Sequence, residues 1–302
     1  MKIKVLKFGG TSVGSVEAIK RSANIICDWS KKSKVIVVLS AMSGETDRLI
    51  NLTKSFSKSP NPVDFDNAIS TGENLSCALM SIYLNNQKTK SKSLHSWQIP
   101  IMTSSEHMKS RILSINKKFL LNELENLDVL VVPGFQGINE RREITTLGRG
   151  GSDTSAVAVA AAMDAECIIY TDVEGVFTTD PNIVPNAKKI NKISYEEMLE
   201  LASQGAKVLQ TRSVELAMRK NTKLSVRSSL KPKKIGTIIT DEKSVLEKNT
   251  VSGIAYTKDE AKITLSRVLD KPGVSSKIFG PLAKGNINVD MILQNISQDG
   301  KF

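Results

Sequence analysis

The residues that could carry chemistry are most concentrated in the stretch TTLGRGGSDTSAVAVAAAM, residues 145–163. Arg149, two glycines, Ser152 and Asp153 stand there directly before a run of small, helix-forming residues. The first turn of a helix offers unpaired N–H groups and a partial positive charge, so this junction could bind an anion. Its spacing matches neither the dinucleotide fingerprint nor the phosphate loop that ends in Gly-Lys-Ser/Thr. Two interpretations therefore stay open: an anion site, or a surface loop followed by a buried helix.

Lys7 is a second candidate, because it stands at the end of the first apolar stretch, just before Gly9 and Gly10. A lysine on a strand is usually a solvated edge residue, and that interpretation explains Lys7 alone. Two adjacent glycines, however, allow a phosphate to approach the backbone closely. A mobile ammonium beside such a turn is how phosphate-handling enzymes place a point charge.

Several carboxylates and hydroxyls also stand where strands end or helices begin. Glu73, in STGENLS, falls at a helix start, where a carboxylate also stabilises the helix dipole. Ordinary turn or capping roles would also explain the other residues of this kind, which are Ser40, Thr46, Asp153, Thr171, Asp172 and Asp180. Together these residues are more informative than any one of them, because they supply cations, glycines, hydroxyls and carboxylates at the ends of strands of the same predicted sheet.

The elements that must position these residues begin with a strand, a helix and a second strand. Residues 3–8, IKVLKF, predict a strand, and 15–32 have helical spacing with Ser15 as a plausible N-cap. KVIVVLSAMSG, residues 34–44, is a continuous apolar run that is typical of a strand covered on both faces. This order predicts a βαβ unit in a parallel sheet.

Two further apolar strands follow, after a helical pattern over residues 65–87. They lie within LDVLVVPGFQGIN, residues 127–139, and AECIIYTDVEGVFTTDP, residues 165–181. Four apolar strands thus end in glycine, serine or aspartate. Because ligands of open α/β sheets bind beyond the carboxyl ends of the strands, we expect these four ends to converge on one site.

The rest of the chain predicts the end of this domain and the start of another. Residues 193–221 read as helical with a break near Gly205, and LSVRSS and GTIIT predict strands that complete the domain by about residue 241. Residues 242–249 are a candidate linker. The pattern after it, a strand, a turn at 270–273, a helix and a strand, is half of a ferredoxin-like unit. The chain stops at Phe302, before the remaining elements of such a unit.

Composition argues against several other classes of protein. The net charge of +11 could suggest nucleic acid, but the basic residues are scattered and are not interleaved with stacking aromatics. Three well-separated cysteines and two histidines lack the spacing of a zinc site or a redox motif. With no secretory leader and no apolar run near the ~20 residues that span a bilayer, we expect a cytoplasmic protein without membrane or nucleic-acid partners.

A series of motifs, in this order and at this spacing, resembles the aspartate kinases, which have the amino acid kinase fold. They are KFGGTSVGS, LSAMSGETDRL, TGENLS, GFQGIN, TTLGRGGSDTSAVAVAAAM, YTDVEGVFTTDPNIVPNAKKI, SYEEMLELASQGAKVLQTRSVELA, and DKPGVSSKIF followed by NINVDMILQNIS. The resemblance covers the chain from the first strand to its end. The segment around TLGRGGSDT is highly specific, whereas FGG alone would be weak.

The resemblance implies an α/β fold: an open, mainly parallel sheet sandwiched by helices over residues 1–241, the linker 242–249, and a partial ferredoxin-like ACT domain over 250–302. It also implies a phosphotransferase that uses ATP and Mg²⁺ to convert L-aspartate to 4-phospho-L-aspartate. That reaction is the entry to lysine, threonine and methionine synthesis, and diaminopimelate lies on the lysine branch.

Site roles follow from the resemblance, motif by motif. The residues implied to bind ATP are Lys7, Gly9, Gly10, Ser12, Thr171, Asp172, Phe177, Asp180 and Lys207. Those implied to bind aspartate are Ser40, Thr46, Glu73, Arg149, Gly150, Gly151 and Ser152. Glu73 would take the ammonium of aspartate and Arg149 its α-carboxylate, while Lys7 and Asp153 would be catalytic. No metal ligand is assigned to the protein.

Elementary chemistry limits what the catalytic residues need to do. An aspartate side chain titrates near pH ~4, so the nucleophile is already ionised at neutral pH and needs no general base. The difficulty is to bring two anions together, which calls for cations and N–H donors. We therefore predict that Asp153 orients Lys7 or other groups and does not remove a proton.

The ACT-like segment implies regulation by an amino acid, with lysine or threonine bound between paired ACT units of a homodimer. The matching positions are Asp270, Gly273, Gln294 and Asn295. Because the ACT region is partial, feedback control is left open. Two other functions are also open: an amino-acid-kinase-fold enzyme with glutamate, acetylglutamate or uridylate as acceptor, and a catalytically impaired amino-acid sensor.

Overall fold

The computed structural model forms two compact units, Met1–Tyr256 and Thr257–Phe302. The residues that it describes are 2–98, 101–206, 208–241, 252–256, 261–269, 271–285, 287, 289, 292 and 293. The first unit contains every described strand and all but one of the described helices. It also contains the sheet around which the candidate site is built.

The strands and helices have the following bounds. The strands are β1 Ile3–Phe8, β2 Lys34–Leu39, β3 Ser91–Ser93, β4 Ile101–Thr103, β5 Ile112–Ile115, β6 Val129–Pro133, β7 Gln136–Ile138, β8 Ile144–Thr146, β9 Glu166–Thr171, β10 Lys192–Ser194, β11 Leu224–Ser228 and β12 Thr237–Thr240. The helices are α1 Gly10–Val13, α2 Val16–Ser30, α3 Glu45–Phe56, α4 Pro62–Ile69, α5 Thr71–Asn86, α6 Lys117–Glu125, α7 Gly151–Ala162, α8 Tyr195–Ser203, α9 Thr211–Arg219 and α10 Val274–Lys284. None of these helices has the length and apolar character of a membrane span.

An eight-stranded sheet runs in the order β10-β12-β11-β9-β1-β2-β6-β3. All neighbouring strands are parallel except β11 and β12. The four strands predicted to end at one site are β9, β1, β2 and β6, and they are consecutive in the sheet. Their carboxyl ends therefore meet along one edge, as the sequence predicts.

Helices cover both faces of this sheet, and alternation along β1 shows how. Val5 belongs to an apolar core with residues of α6, α7, α8 and α9. Leu6 and Phe8 point the other way, into a core with residues of α2 and α5. Side chains alternate between faces along a strand. Lys7 therefore shares the face of Val5, toward the helices of the first core.

Local chemistry explains two helices that matter for the site. Ser15 caps α2, as predicted, by accepting a hydrogen bond from the Ala18 N–H at 3.2 Å. In α7, every residue from Gly151 to Ala160 is buried. Residues that small let a helix lie wholly inside the protein, close to the strands, and that places its first turn at the sheet edge.

Several elements of the first unit were not predicted from the sequence, among them α3, α6, β3 and β10, and two further differences concern the surroundings of the site. The helical pattern over residues 65–87 forms two helices, α4 and α5, because the carbonyl at their junction, Ser70 O, accepts a hydrogen bond from Gln136 Nε2 at 3.0 Å. A second sheet, in the order β5-β4-β7-β8, was not predicted. Its strands have three or four residues, too few for an alternating pattern to be recognised.

The second unit contains α10 with Gly273 at its N-cap, as the predicted turn and helix require. The described residues 261–269, where a strand was predicted, form none. A strand needs a partner for its backbone groups, and the strand predicted after α10 falls in large part outside the described residues. The predicted linker 242–249 lies outside the described residues. Residues 252–256 belong to the first unit, where the Ile254 N–H donates to Thr178 O at 2.7 Å. The boundary between catalytic and ACT domains stays a prediction.

Candidate active site

A cavity of about 420 Å³ opens at the carboxyl ends of the central strands. Ten predicted site residues line it: Lys7, Gly10, Ser40, Thr46, Glu73, Arg149, Gly150, Gly151, Ser152 and Asp153. Other lining residues were not predicted: Ala41, Met42, Ser43, Gly44, Asp47, Phe135, Gly148 and Gln210. Most of these stand inside the motifs SAMSGETD, GFQGIN and LGRGG, so membership of a motif was the signal that could have found them.

Lys7 and Asp153 form an ion pair at the base of this cavity. Lys7 Nζ lies 2.6 Å from Asp153 Oδ1, and the two residues are only 9% and 8% exposed. Because β1 lies between β9 and β2, the interpretation of Lys7 as a solvated edge residue is wrong. The capping interpretation of Asp153 is wrong too, since Gly150 is the N-cap of α7 and Asp153 stands in the first turn. A buried charge of this kind requires its partner.

The turn before α7 has a backbone conformation that depends on glycine. Gly150 has φ +71°, and a Cβ there would fall 2.6 Å from the Cβ of Gln210. On the other side, a Cβ on Gly134, at the end of β6, would lie 2.7 Å from the Cβ of Ser152. The start of α7 is therefore packed tightly between two neighbours. Its first turn and the positive end of its dipole lie at the cavity, which favours the anion-site interpretation over the surface loop.

Arg149 is the second cation that lines the cavity, besides Lys7. Its side chain is exposed and makes no hydrogen bond or ion pair with the residues that the structure describes. A guanidinium presents a planar fork of donors that matches a carboxylate. The free fork at the cavity is therefore available for a carboxylate ligand.

Glu73 is buried to 3% exposure in the first turn of α5. Its Oε1 accepts a hydrogen bond from the Ala41 N–H at 3.1 Å, while Oε2 is buried without a partner among the described residues. Burial raises the pKa of Glu73 to about 8, against the opposing effect of the Ala41 hydrogen bond. Helix capping alone leaves this desolvated oxygen unexplained. A cationic ligand group in the cavity would satisfy it.

Ser40 and Thr46 complete the cavity wall between Lys7 and Glu73. Ser40 follows β2 and its N–H donates to Phe8 O at 3.1 Å, while Thr46 is in the first turn of α3. Neither hydroxyl bonds to another described residue. Both are therefore free to bond to a ligand.

A second group of predicted residues lies where β1, β9 and β11 end. Gly9 and Gly10 begin α1, and Ser12 Oγ donates to Ser229 Oγ at 3.0 Å. Ser229 Oγ in turn donates to Thr171 O at 3.0 Å. These bonds join the three strand ends. Ser229 was not predicted; its place directly after a strand was the available signal.

The other described residues predicted for ATP do not line the cavity. Asp172 is exposed and accepts from Thr171 Oγ1 at 3.0 Å, and Phe177 forms an isolated bridge to Lys189. Asp180 Oδ1 accepts from the Asn182 N–H at 2.8 Å, which is the turn role considered for it. Lys207 lies outside the described residues, as do three predicted effector positions, Asp270, Gln294 and Asn295.

Neither histidine lies at the cavity, and no group of three His, Cys, Asp or Glu side chains in the described part of the chain could hold a metal ion. His95 stacks on Trp97, and His107 Nδ1 lies 2.8 Å from Asp66 Oδ2. The cavity thus offers cations, hydroxyls, N–H groups and a protonatable carboxylate, a set suited to binding anions beside an ammonium.

Comparison with known proteins agrees with this arrangement. The model of the amino acid kinase family matches residues 2–228, and a model of the ACT domain matches 266–298. The chain is 50% identical to an aspartate kinase of Pseudomonas putida over 302 residues, which are 99% of this chain and 73% of that protein. It is 46% identical to aspartokinase 2 of Bacillus subtilis, covering 99% of this chain and 74% of the relative.

Solved structures give the same result. Aspartokinase III of E. coli, in complex with aspartate and ADP, superposes with a TM-score of 0.74 at 25% identity, covering 98% of this chain and 77% of that one. An aspartate kinase from Synechocystis superposes with a TM-score of 0.70 at 39% identity, covering 100% of this chain and 51% of that one. The chain therefore belongs to the amino acid kinase family and, within it, to the aspartate kinases.

Proposed function

We propose that the chain transfers the terminal phosphoryl group of ATP to the β-carboxylate of L-aspartate, forming 4-phospho-L-aspartate. Its curated relatives are aspartate kinases, and one structural neighbour holds aspartate and ADP. The observation that carries the proposal is one cavity lined by the buried Lys7–Asp153 pair, the free fork of Arg149 and the unpaired oxygen of Glu73. The reaction serves amino-acid biosynthesis, at the entry to lysine, threonine and methionine.

The acceptor amino acid is held by opposite charges at its two ends. Arg149 binds its α-carboxylate, and Glu73 binds its ammonium after losing the proton that burial favours. Ser40, Thr46 and the N–H groups of Gly150 and Ser152 complete the contacts, while Gly151 lines the cavity and its own N–H donates to Gly148 O at 3.0 Å. The β-carboxylate is then directed toward Lys7.

Lys7 lowers the repulsion between the two anions that must meet. Its ammonium lies on the cavity side of β1, and Asp153 holds it in place at 2.6 Å. Asp153 acts by orientation, because the acceptor carboxylate is already ionised and no proton has to be removed. Fixed charges in a site shielded from water contribute most of the catalysis in such a transfer.

ATP is the phosphoryl donor, and the residues we propose for it are Lys7, Gly9, Gly10, Ser12, Thr171, Asp172, Phe177, Asp180 and Lys207. Mg²⁺ accompanies ATP in such transfers by neutralising charge on its phosphates. With no cluster of three protein ligands in the described residues, the site fits a Mg²⁺ ion that is held mainly by phosphates and water.

Feedback control, assembly and location stay predictions. Aspartokinase III of E. coli has a structure with lysine and aspartate bound, which supports lysine as an effector here, with threonine as the other candidate. Gly273 is the described residue among the predicted effector positions. A homodimer would be measured by light scattering as twice 33.0 kDa. A cytoplasmic location is expected of an enzyme that consumes ATP and a free amino acid.

An acceptor panel tests the proposal. ADP release from Mg-ATP is measured with L-aspartate, L-glutamate, N-acetyl-L-glutamate and uridylate, each over the same concentration range. We expect turnover with L-aspartate and at most traces with the others. Turnover with another acceptor would assign a different amino-acid-kinase reaction. Ligand binding without turnover on any acceptor would assign a sensor.

A further inference from the structure

Arg149 lies on a short segment, residues 146–150, whose position is set by neighbouring residues. The Arg149 side chain has no partner among the described residues, so it cannot fix its own location. The backbone of this Arg149 segment is instead held from outside. The groups that hold it are a buried carboxylate and a partly buried guanidinium, and neither lines the cavity.

Asp66 in α4 is the first of these groups, and it is fully buried. Its Oδ1 accepts the Thr146 hydroxyl at 2.6 Å, and its Oδ2 accepts the Thr146 N–H at 3.0 Å. Oδ2 also lies 2.8 Å from His107 Nδ1 and 3.1 Å from the Met108 N. A buried carboxylate with this many donors is rigidly placed, because losing any of them leaves a desolvated charge less compensated.

Arg212 in α9 holds the same segment from the other side. Its guanidinium donates to Leu147 O at 2.9 Å and to Ser110 O at 2.8 Å. The Ser110 N–H donates to Thr146 O at 2.9 Å, which closes the link between the two anchors. Partial burial lowers the pKa of the Arg212 guanidinium, which donates both of these hydrogen bonds.

Asp66 also connects the Arg149 segment to Glu73. The helix α4 that carries Asp66 passes directly into α5, with Glu73 in its first turn. Gln136 Nε2 fixes the junction by donating to Ser70 O at 3.0 Å. One buried carboxylate therefore ties the helix pair that presents Glu73 to the segment that presents Arg149.

We propose that Asp66 and Arg212 are positioning residues that set the separation between Arg149 and Glu73, and thereby the length of acceptor amino acid that the site accepts. The proposal rests on the proposed function, in which Arg149 and Glu73 bind the two ends of aspartate. A misplacement of about 1 Å is enough to weaken such a site strongly. The separation selects aspartate over the homologue that is longer by one methylene.

The test uses Thr146, which contacts Asp66 through its hydroxyl and does not line the cavity. Thr146→Val removes that hydrogen bond at nearly constant volume, and Thr146→Ser keeps it. We expect Thr146→Val to raise KM for aspartate roughly tenfold and to lower the preference for aspartate over glutamate. KM for ATP should be unchanged, and kcat should stay within about twofold of the wild-type value. Thr146→Ser should restore KM for aspartate.

Tyr195→Phe is the matched control, since it removes one buried hydroxyl hydrogen bond, to Thr222 O at 2.7 Å, away from the cavity. Both variants should lower Tm, but only Thr146→Val should change KM for aspartate. If Thr146→Val does not fold, Arg212→Lys replaces it, with the same expected split between the two KM values. An unchanged KM for aspartate, or equal losses with both substrates, would overturn the positioning role. Absence of turnover by the wild-type chain would instead overturn the proposed function.

Discussion

At the scale of single residues, the face of β1 on which a lysine lies determines whether its charge reaches the cavity. Lys7 points toward α7 and pairs with Asp153, whereas Lys4 points to the other face and pairs with Glu166. Both lysines are buried to 9% exposure, so each needs its partner. Only Lys7 lines the cavity.

Lys7→Met should reduce kcat by roughly 100-fold or more, because it removes the fixed cation near the transferred group. Lys4→Met is the matched control on the same strand: it also leaves a carboxylate unpaired, but on the face away from the cavity. Both variants are compared by Tm and by the rate of ADP release. A Lys7→Met enzyme with turnover close to that of Lys4→Met would contradict the assignment.

Glu73 gives a prediction about pH. Its pKa is about 8 in the folded protein and about 4.3 in an unfolded chain, so between these values the folded state binds the extra proton. The stability from this group is complete below pH ~4.3 and is lost as pH rises through about 8. Between pH 6 and 8.5, the Tm of the ligand-free wild type should therefore fall further than the Tm of the Glu73→Gln variant.

The same substitution separates stability from binding. Glu73→Gln should be at least as stable as the wild type at pH 8.5, since a neutral amide does not have to ionise in a buried place. It should nonetheless bind aspartate much more weakly, because the ammonium loses its charged partner. Parallel pH profiles of Tm for the two proteins would contradict the raised pKa of Glu73. An unchanged KM for aspartate would contradict its binding of the ammonium.

At the scale of elements, the start of α7 brings the acceptor and catalytic groups together. Arg149 precedes the helix, Gly150 caps it, and Asp153 stands one turn in. Gly150→Ala should raise KM for aspartate about tenfold, since an alanine at φ +71° costs roughly 1–2 kcal/mol and its Cβ meets Gln210. The double variant with Gln210→Gly should recover part of the loss, because it removes the Cβ of residue 210 that the alanine would meet but leaves the backbone strain. A double variant no better than the single one would contradict this explanation.

The elements that could be predicted from sequence are those with a repeating pattern. The apolar runs of β1, β2, β6 and β9 and the small residues of α7 indicated a buried sheet whose strand ends converge. The short strands β4, β7 and β8 carry no such pattern. The bonds from Asp66 to Thr146 join residues 80 positions apart, and no local signal indicates them. Residue type alone also could not show which face of β1 carries Lys7.

At the scale of the whole molecule, the first unit brings the ends of β9, β1, β2 and β6 to one edge. One half of that edge has the charges for an amino acid, and the other half has the glycines and serines proposed for phosphates. The second unit matches the ACT domain. The family model matches the first unit over residues 2–228, and the ACT model matches residues 266–298, which lie in the second.

Trapping of the product tests the central proposal most directly. The chain is incubated with Mg-ATP and L-aspartate in the presence of hydroxylamine, which attacks an acyl phosphate to give a hydroxamate and releases phosphate. Mass spectrometry and NMR then identify which carboxylate was converted. We expect the β-hydroxamate of aspartate, formed in equal amount to ADP and formed roughly 100-fold or more slowly by Lys7→Met. ADP formation without any hydroxamate, or a hydroxamate at the α-carboxylate, would contradict the proposed reaction.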